Sequence, residues 1–145
     1  MINPDKHIRA AIYTRLMLAG ITAFDKRVPK SYGVGEDAKY VLISSQTKIK
    51  DSIGRGCKIW DCTIVLDVFC IQDLSYASTA MLDDFEEQIL NAVTLEQIEV
   101  NNFDVVSLKL DGTPRDLSFS TDTEEILRKV ITYRLLVEEN VTVTP

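Results

Sequence analysis

The stretch Ile59-Trp60-Asp61-Cys62-Thr63-Ile64-Val65-Leu66-Asp67-Val68-Phe69-Cys70-Ile71 decides the fold. β-Branched and aromatic side chains dominate it, and these lose χ1 freedom in a helix but pack well on a pleated surface. Strand alternation places Cys62, Ile64, Leu66, Val68 and Cys70 on one face. Thr63, Val65, Asp67, Phe69 and Ile71 fall on the other. Both faces are mostly apolar. The spacing therefore predicts a central strand, covered by helices on one side and by another layer or subunit on the other.

Upstream, Tyr40-Val41-Leu42-Ile43 reads as a short buried strand. Residues 44–58 are polar, contain Gly54 and Gly56, and read as an extended hairpin arm or a mobile loop. Residues 4–19 read as a helix, with Asn3 as its cap, Pro4 in the first turn and Gly20 as its stop. Ile8, Ala11, Ile12, Leu16 and Ala19 form its apolar stripe. Residues 21–28 are short and mixed, and Pro29 ends any pairing there. Residues 30–39 read as a loop.

Downstream, residues 75–92 read as a second helix, with Tyr76, Ala80, Met81, Phe85, Ile89 and Ala92 as its stripe. Residues 103–110 alternate as a strand. Asp111-Gly112-Thr113-Pro114 carries turn chemistry, so residues 116–120 are expected to return as that strand's partner. Residues 124–138 fit a helix or a strand; Val130-Ile131-Thr132-Tyr133 favours strand for the second half. The last residues, 141–145, are expected to be loose without a neighbour to hold them. The expectation is a single α+β domain over residues 1–145: a mostly antiparallel sheet, two helices on one face and a long β-hairpin arm.

The 145 residues are 46% apolar and 26% charged, values of an ordinary globular domain. The net charge of −6 argues against wrapping nucleic acid, whose phosphates need a basic surface. No apolar run approaches a membrane span, and no secretory leader pattern opens the chain.

The chemistry-bearing residues are sparse. His7 is the only histidine, which removes His-rich metal sites and leaves a His-based triad one candidate. Cys57, Cys62 and Cys70 lack the close paired spacing of zinc ligands. Cys62 and Cys70, on one strand, lie beyond disulfide reach of each other. Gly33-Val34-Gly35 and Gly54-Arg55-Gly56 are too short to cradle phosphate. Asp67 is the one carboxylate inside an apolar strand, and structural pairing places carboxylates in such spots as readily as catalysis does. No catalytic residue, cofactor site or metal site is expected.

Charge is unevenly spread. Residues 1–60 hold 11 Lys+Arg against 5 Asp+Glu, a balance of +6, and residues 61–145 hold 5 against 17, a balance of −12. A molecule with one basic and one acidic side can stack head to tail, and a heterologous contact that closes makes a ring. If the fold interleaves the two halves, the split disappears. The candidate subunit interface comprises Lys48, Ile49, Lys50, Ile53, Arg55 and Lys58 on the arm, facing Asp83, Asp84, Glu86 and Glu87 of the second helix of a neighbouring copy.

The opening helix, Arg27-Val28-Pro29, Tyr40-Val41-Leu42-Ile43, the long arm, the central strand, a helix and the closing Tyr133-Arg134-Leu135-Leu136-Val137 follow in an order that resembles the tail-completion or tail-terminator proteins of tailed bacteriophages. The resemblance covers nearly the whole chain. A proline often precedes the tyrosine-bearing strand in that family, where this chain has Lys39. The resemblance implies a sheet with helices on one face and a structural, non-enzymatic virion protein. It implies rings, usually hexamers, that cap the tail tube and face the head connector or stopper, with DNA passing through the lumen. It implies location in the tail or neck of the virion after assembly in the host cytoplasm, and no membrane partner. Two other readings fit the same residues: another neck protein such as a connector or stopper ring, and a small α+β enzyme subunit or regulatory domain.

Overall fold

The computed structural model describes residues 2–29, 38–51, 58–74 and 78–140. Two helices, α1 (Asp5–Leu18) and α2 (Thr79–Ala92), pack against strands β1 (Ala23–Asp25), β2 (Ala38–Asp51), β3 (Ile59–Asp73), β4 (Phe103–Leu110), β5 (Arg115–Asp116), β6 (Phe119–Ser120) and β7 (Glu124–Glu139). Among the described residues these strands form one sheet in the order β1-β2-β3-β7-β4, with β5 and β6 also on β7. Every pairing is antiparallel except the β1–β2 pair. The α+β architecture with a dominant antiparallel sheet is the one the sequence predicts.

The central strand is β3. Its Cys62, Ile64, Leu66, Val68 and Cys70 point to the helices and are fully buried. Ile8, Ile12 and Leu16 of α1 and Leu82, Phe85 and Ile89 of α2 complete this core, joined by Val41, Ile131 and Leu135 from the flanking strands. Each such side chain is worth about 1.5–3 kcal/mol of burial. The opposite face of β3 carries Thr63, Val65, Phe69 and Ile71, all half-buried.

Local chemistry sets the helix ends. Asn3 Oδ1 accepts from the Asp5 amide at 3.1 Å, although the N-cap position itself falls on Pro4, one residue later than the sequence suggests. At the other end Gly20 takes a positive φ of 75°, Ile21 N–H donates to the Leu16 carbonyl, and Gly20 N–H donates to that of Met17. This paired closure satisfies two orphan carbonyls and brings Ile21 onto Leu16's side of the core. The start of α2 is capped by Ser78, whose hydroxyl accepts from the Ala80 amide. Buried Gln72, at the end of β3, bonds both the amide and the carbonyl of Ser78 and ties α2 to the sheet.

Several expectations are corrected. The strand read at residues 40–43 extends to Ala38–Asp51, which takes in Ala38 and Lys39 from the stretch read as loop. Residues 44–51 are the extended hairpin arm, paired to β3, rather than the mobile loop that the sequence also allows. The ladder continues through this polar stretch because β3 supplies partners along its whole length, with a bulge at Ser44 between Ile43 and Ser45. Residues 52–57, with Ile53, Arg55 and Cys57, lie outside the described residues, as do residues 30–37 of the loop read at 30–39, Tyr76 and the tail 141–145.

The mixed stretch 21–28 holds the short parallel strand β1. Residues 124–139 are strand throughout, not only in their second half. Fifteen residues of β3 pair with them, and this ladder overrides the helical character of Glu124 to Lys129.

The segment after Asp111 does not fold back on β4. Both β5 and β6 pair with β7, continuing along the edge that β4 begins. Gly112, at φ 79°, and Pro114 therefore make a jog in one broken edge rather than a hairpin, because β7 is twice as long as β4 and its remaining edge is open. On α2 the buried stripe is Leu82, Phe85, Ile89 and Ala92, while Ala80 and Met81 are exposed. The period had placed the stripe one residue early in the first turn.

Candidate functional site

Among the described residues, Cys62, Cys70 and Asp67 are engaged in the fold. Burial pushes the Cys62 thiol up to about 12, reinforced by Asp5 and Asp61, and pushes Cys70 up to about 11 against the opposing charge of Lys39. Neither is a usable nucleophile near neutral pH. The His7 ring lies 6.0 Å from that of Phe103. Asp67 lies on the face of the sheet away from the helices, where Arg128 Nη2 donates to its carboxylate at 3.2 Å. The same guanidinium sits 5.4 Å over the Phe69 ring. Asp67 thus closes an ion pair on a central strand. Among the described residues no three His, Cys, Asp or Glu side chains gather as a metal site. No described helix is long and apolar enough to cross a membrane.

The candidate interface residues fall into three groups. Lys48, on the helix side of β2, donates to Asp5 at 2.5 Å and to Asn3 at 3.1 Å within the same chain. Lys58 reaches Glu139 at 3.8 Å. Ile49 and Lys50 are exposed on the arm, Ile49 at 70% of its surface. Ile53 and Arg55 lie outside the described residues.

On α2, Glu86 and Asp83 both pair with Lys129 of β7, at 2.5 and 3.5 Å. Those carboxylates hold the Lys129 ammonium above its ordinary range, the Glu86 hydrogen bond contributing most. Asp84 and Glu87 are exposed. Among the described residues the arm and the acidic helix are not brought together within one chain.

Sequence reasoning missed Lys129 and Gln72. Lys129 is the one charge that interrupts the buried alternation of Leu127, Ile131, Tyr133 and Leu135, and that interruption was its signal. Gln72 gave none, because a polar residue at a strand end is ordinary.

Among the described residues the two halves keep to separate parts of the sheet. The first half supplies α1, β1 and β2 at one side of the sheet, and the second half supplies β3, β7 and the β4–β6 edge. The late strand β7 inserts between β3 and β4, all from the second half, so no described strand of one half lies between strands of the other.

No protein-family model matches the chain, and no curated protein matches it. Solved structures do. A chain of the "Virion of native gene transfer agent (GTA) particle" superposes with a TM-score of 0.63 at 16% identity, covering 95% of this chain and 99% of that one. A second solved chain gives 0.55 at 12% identity, covering 97% of each. At such identities the likeness establishes the fold: this chain shares the whole architecture of a chain found in a gene transfer agent virion.

Proposed function

We propose that this protein is a structural subunit of a phage-like particle, and that its place is the tail terminator. Copies form a ring on the head-proximal end of the tail tube, stop its growth and present a surface to the head connector or stopper. DNA passes through the ring without sequence-specific contact, which suits a net acidic chain. The observation that carries the reading is the end-to-end likeness to a chain of the gene transfer agent virion, with neither chain holding a substantial extra part. The engagement of Cys62, Cys70 and Asp67 in the fold supports a non-enzymatic role.

The test is removal of this gene from a strain that makes the particle, followed by electron microscopy of lysates. A terminator's loss leaves tails of uncontrolled length without heads. Tails of normal length beside unjoined heads indicate a connector or stopper instead. Particles with normal joined tails overturn the proposal.

A further inference from the structure

We propose that the groove between α1 and β1 receives the exposed Leu117 and Phe119 of a second copy of this chain, joining copies head to tail. The inference rests on reading the chain as a multi-copy virion subunit, and it assigns the surfaces by which copies meet.

The groove has a volume of about 490 Å³. Ala10, Tyr13, Ala23 and Phe24 give it apolar lining, and Lys6, Arg9 and Arg27, against the single carboxylate of Asp25, give it a net basic rim. Arg9 is held by Gln46 and by Asp25 at 3.5 Å, whereas Lys6 and Arg27 are exposed and make no ion pair among the described residues. At the opposite end of the sheet Phe119 is 51% exposed and Leu117 38% exposed. Asp116 and Asp122, both exposed, flank them in sequence, with the exposed Arg115 next beyond Asp116. Ser118 donates to Asp116 from its amide at 2.9 Å and its hydroxyl at 2.6 Å, which fixes the carboxylate beside the apolar pair.

An apolar knob with acidic flanks thus matches an apolar groove with a basic rim. Because the two lie at opposite ends of one sheet, each copy offers one of each, and the contact is heterologous.

The two outermost strands are poor templates for strand addition, although β2 keeps an edge without a partner strand beyond Ile43 among the described residues. The outer strand on the groove side, β1, has three residues. The other edge is broken by an irregularity at Val106, by Pro114 and by division into β4, β5 and β6. Such interruptions blunt an edge against pairing. Side chains make the proposed contact, with Phe119 as the aromatic anchor and the charges setting orientation. The arm and α2 are weaker candidates, since Lys48 is spent on Asp5, and Asp83 and Glu86 on Lys129, within one chain.

The test is sedimentation velocity of the full chain from micromolar to millimolar concentration at low salt. It compares a knob variant, Leu117→Ala with Phe119→Ala, with a groove variant, Lys6→Glu with Arg27→Glu. The unaltered chain self-associates, and each variant does so at least about tenfold more weakly. An equimolar mixture of the two variants forms 1:1 dimers and stops there, because each copy keeps one working surface. Should the double knob variant lose its folded circular-dichroism spectrum, Phe119→Lys alone repeats the measurement.

A variant that associates like the unaltered chain, a mixture that gives no dimer, or an unaltered chain that stays monomeric at millimolar concentration overturns the contact. Failure here with headless, overlong tails in the deletion strain leaves the terminator reading standing. Normal particles together with the 1:1 dimer leave the contact standing and remove that reading.

Discussion

On the helix side of β3, Cys62, Ile64, Leu66, Val68 and Cys70 are at most 1% exposed, whereas Val65, Phe69 and Ile71 on the opposite side stay half-buried. The two rows belong to one strand and are similarly apolar. Coverage separates them: Ile8, Ile12, Phe85 and Ile89 close over the first row, while on the other the Arg128 guanidinium lies over Phe69 and pairs with Asp67. The first row stores folding energy. The second keeps polar and apolar groups partly open to solvent.

The largest contrast should appear in thiol reactivity. With Cys57 replaced by Ser, labelling of Cys62 in the folded protein near pH 8 should run about 1000-fold slower than that of an ordinary exposed thiol, because so little thiolate is present. Denaturant should restore the ordinary rate. Rapid labelling of the native chain would show that the helix side is open.

Truncation separates the rows next. Leu66→Ala should lower unfolding free energy by about 3 kcal/mol, since it leaves a cavity in the fully buried core. Val65→Ala, one residue away on the opposite row, should cost about 1 kcal/mol or less. Urea unfolding of the two variants measures the difference, and equal costs would mean the second row is covered as well as the first.

A smaller effect belongs to the ion pair on the open face. Asp67→Ala leaves Arg128 without its acceptor and should cost about 1 kcal/mol, discounted because Arg128 is a third exposed. Asp67→Asn keeps an oxygen to accept from Arg128 and should cost less. A reversed order in thermal unfolding would assign the position to packing rather than to pairing.

The smallest effect is electrostatic and depends on pH. On the same open face Asp61 accepts from Arg134 on β7, and that hydrogen bond holds its carboxyl below the usual range. A depressed folded pKa contributes stability above the unfolded value of about 3.9 and loses it as pH falls through the folded value. Unfolding curves of the natural chain and of Asp61→Asn should therefore differ slightly at neutral pH and converge below about pH 4. A gap that persists in acid would rule out the ion pair as its source.

Much of the fold was legible because it rests on local chemistry. The alternation of residues 59–71 fixed a central strand, and Gly20 fixed the end of the first helix through a backbone angle that glycine adopts at little cost. Asp111-Gly112-Thr113-Pro114 misled because turn residues state that the chain bends, not which edge it meets next. The candidate interface was legible only as a charge asymmetry. That Lys48 pairs with Asp5 and Lys129 with Glu86 depends on the register of β2 against β3 and of β7 against β3, which no single segment encodes.

The sequence alone determined the buried faces of the first helix and of the central strand, the presence of a second helix, and that charge divides near residue 60. Side-chain pattern, cap chemistry and charge are local properties, and a sequence displays them directly. Only the tertiary structure decided that β7 lies between β3 and β4, that residues 124–129 are strand, and that the two halves of the chain keep to separate parts of the sheet. Those outcomes depend on which edge offers unpaired backbone groups to a distant segment, and hydrogen-bond partners far apart in the chain are settled only when the whole sheet forms.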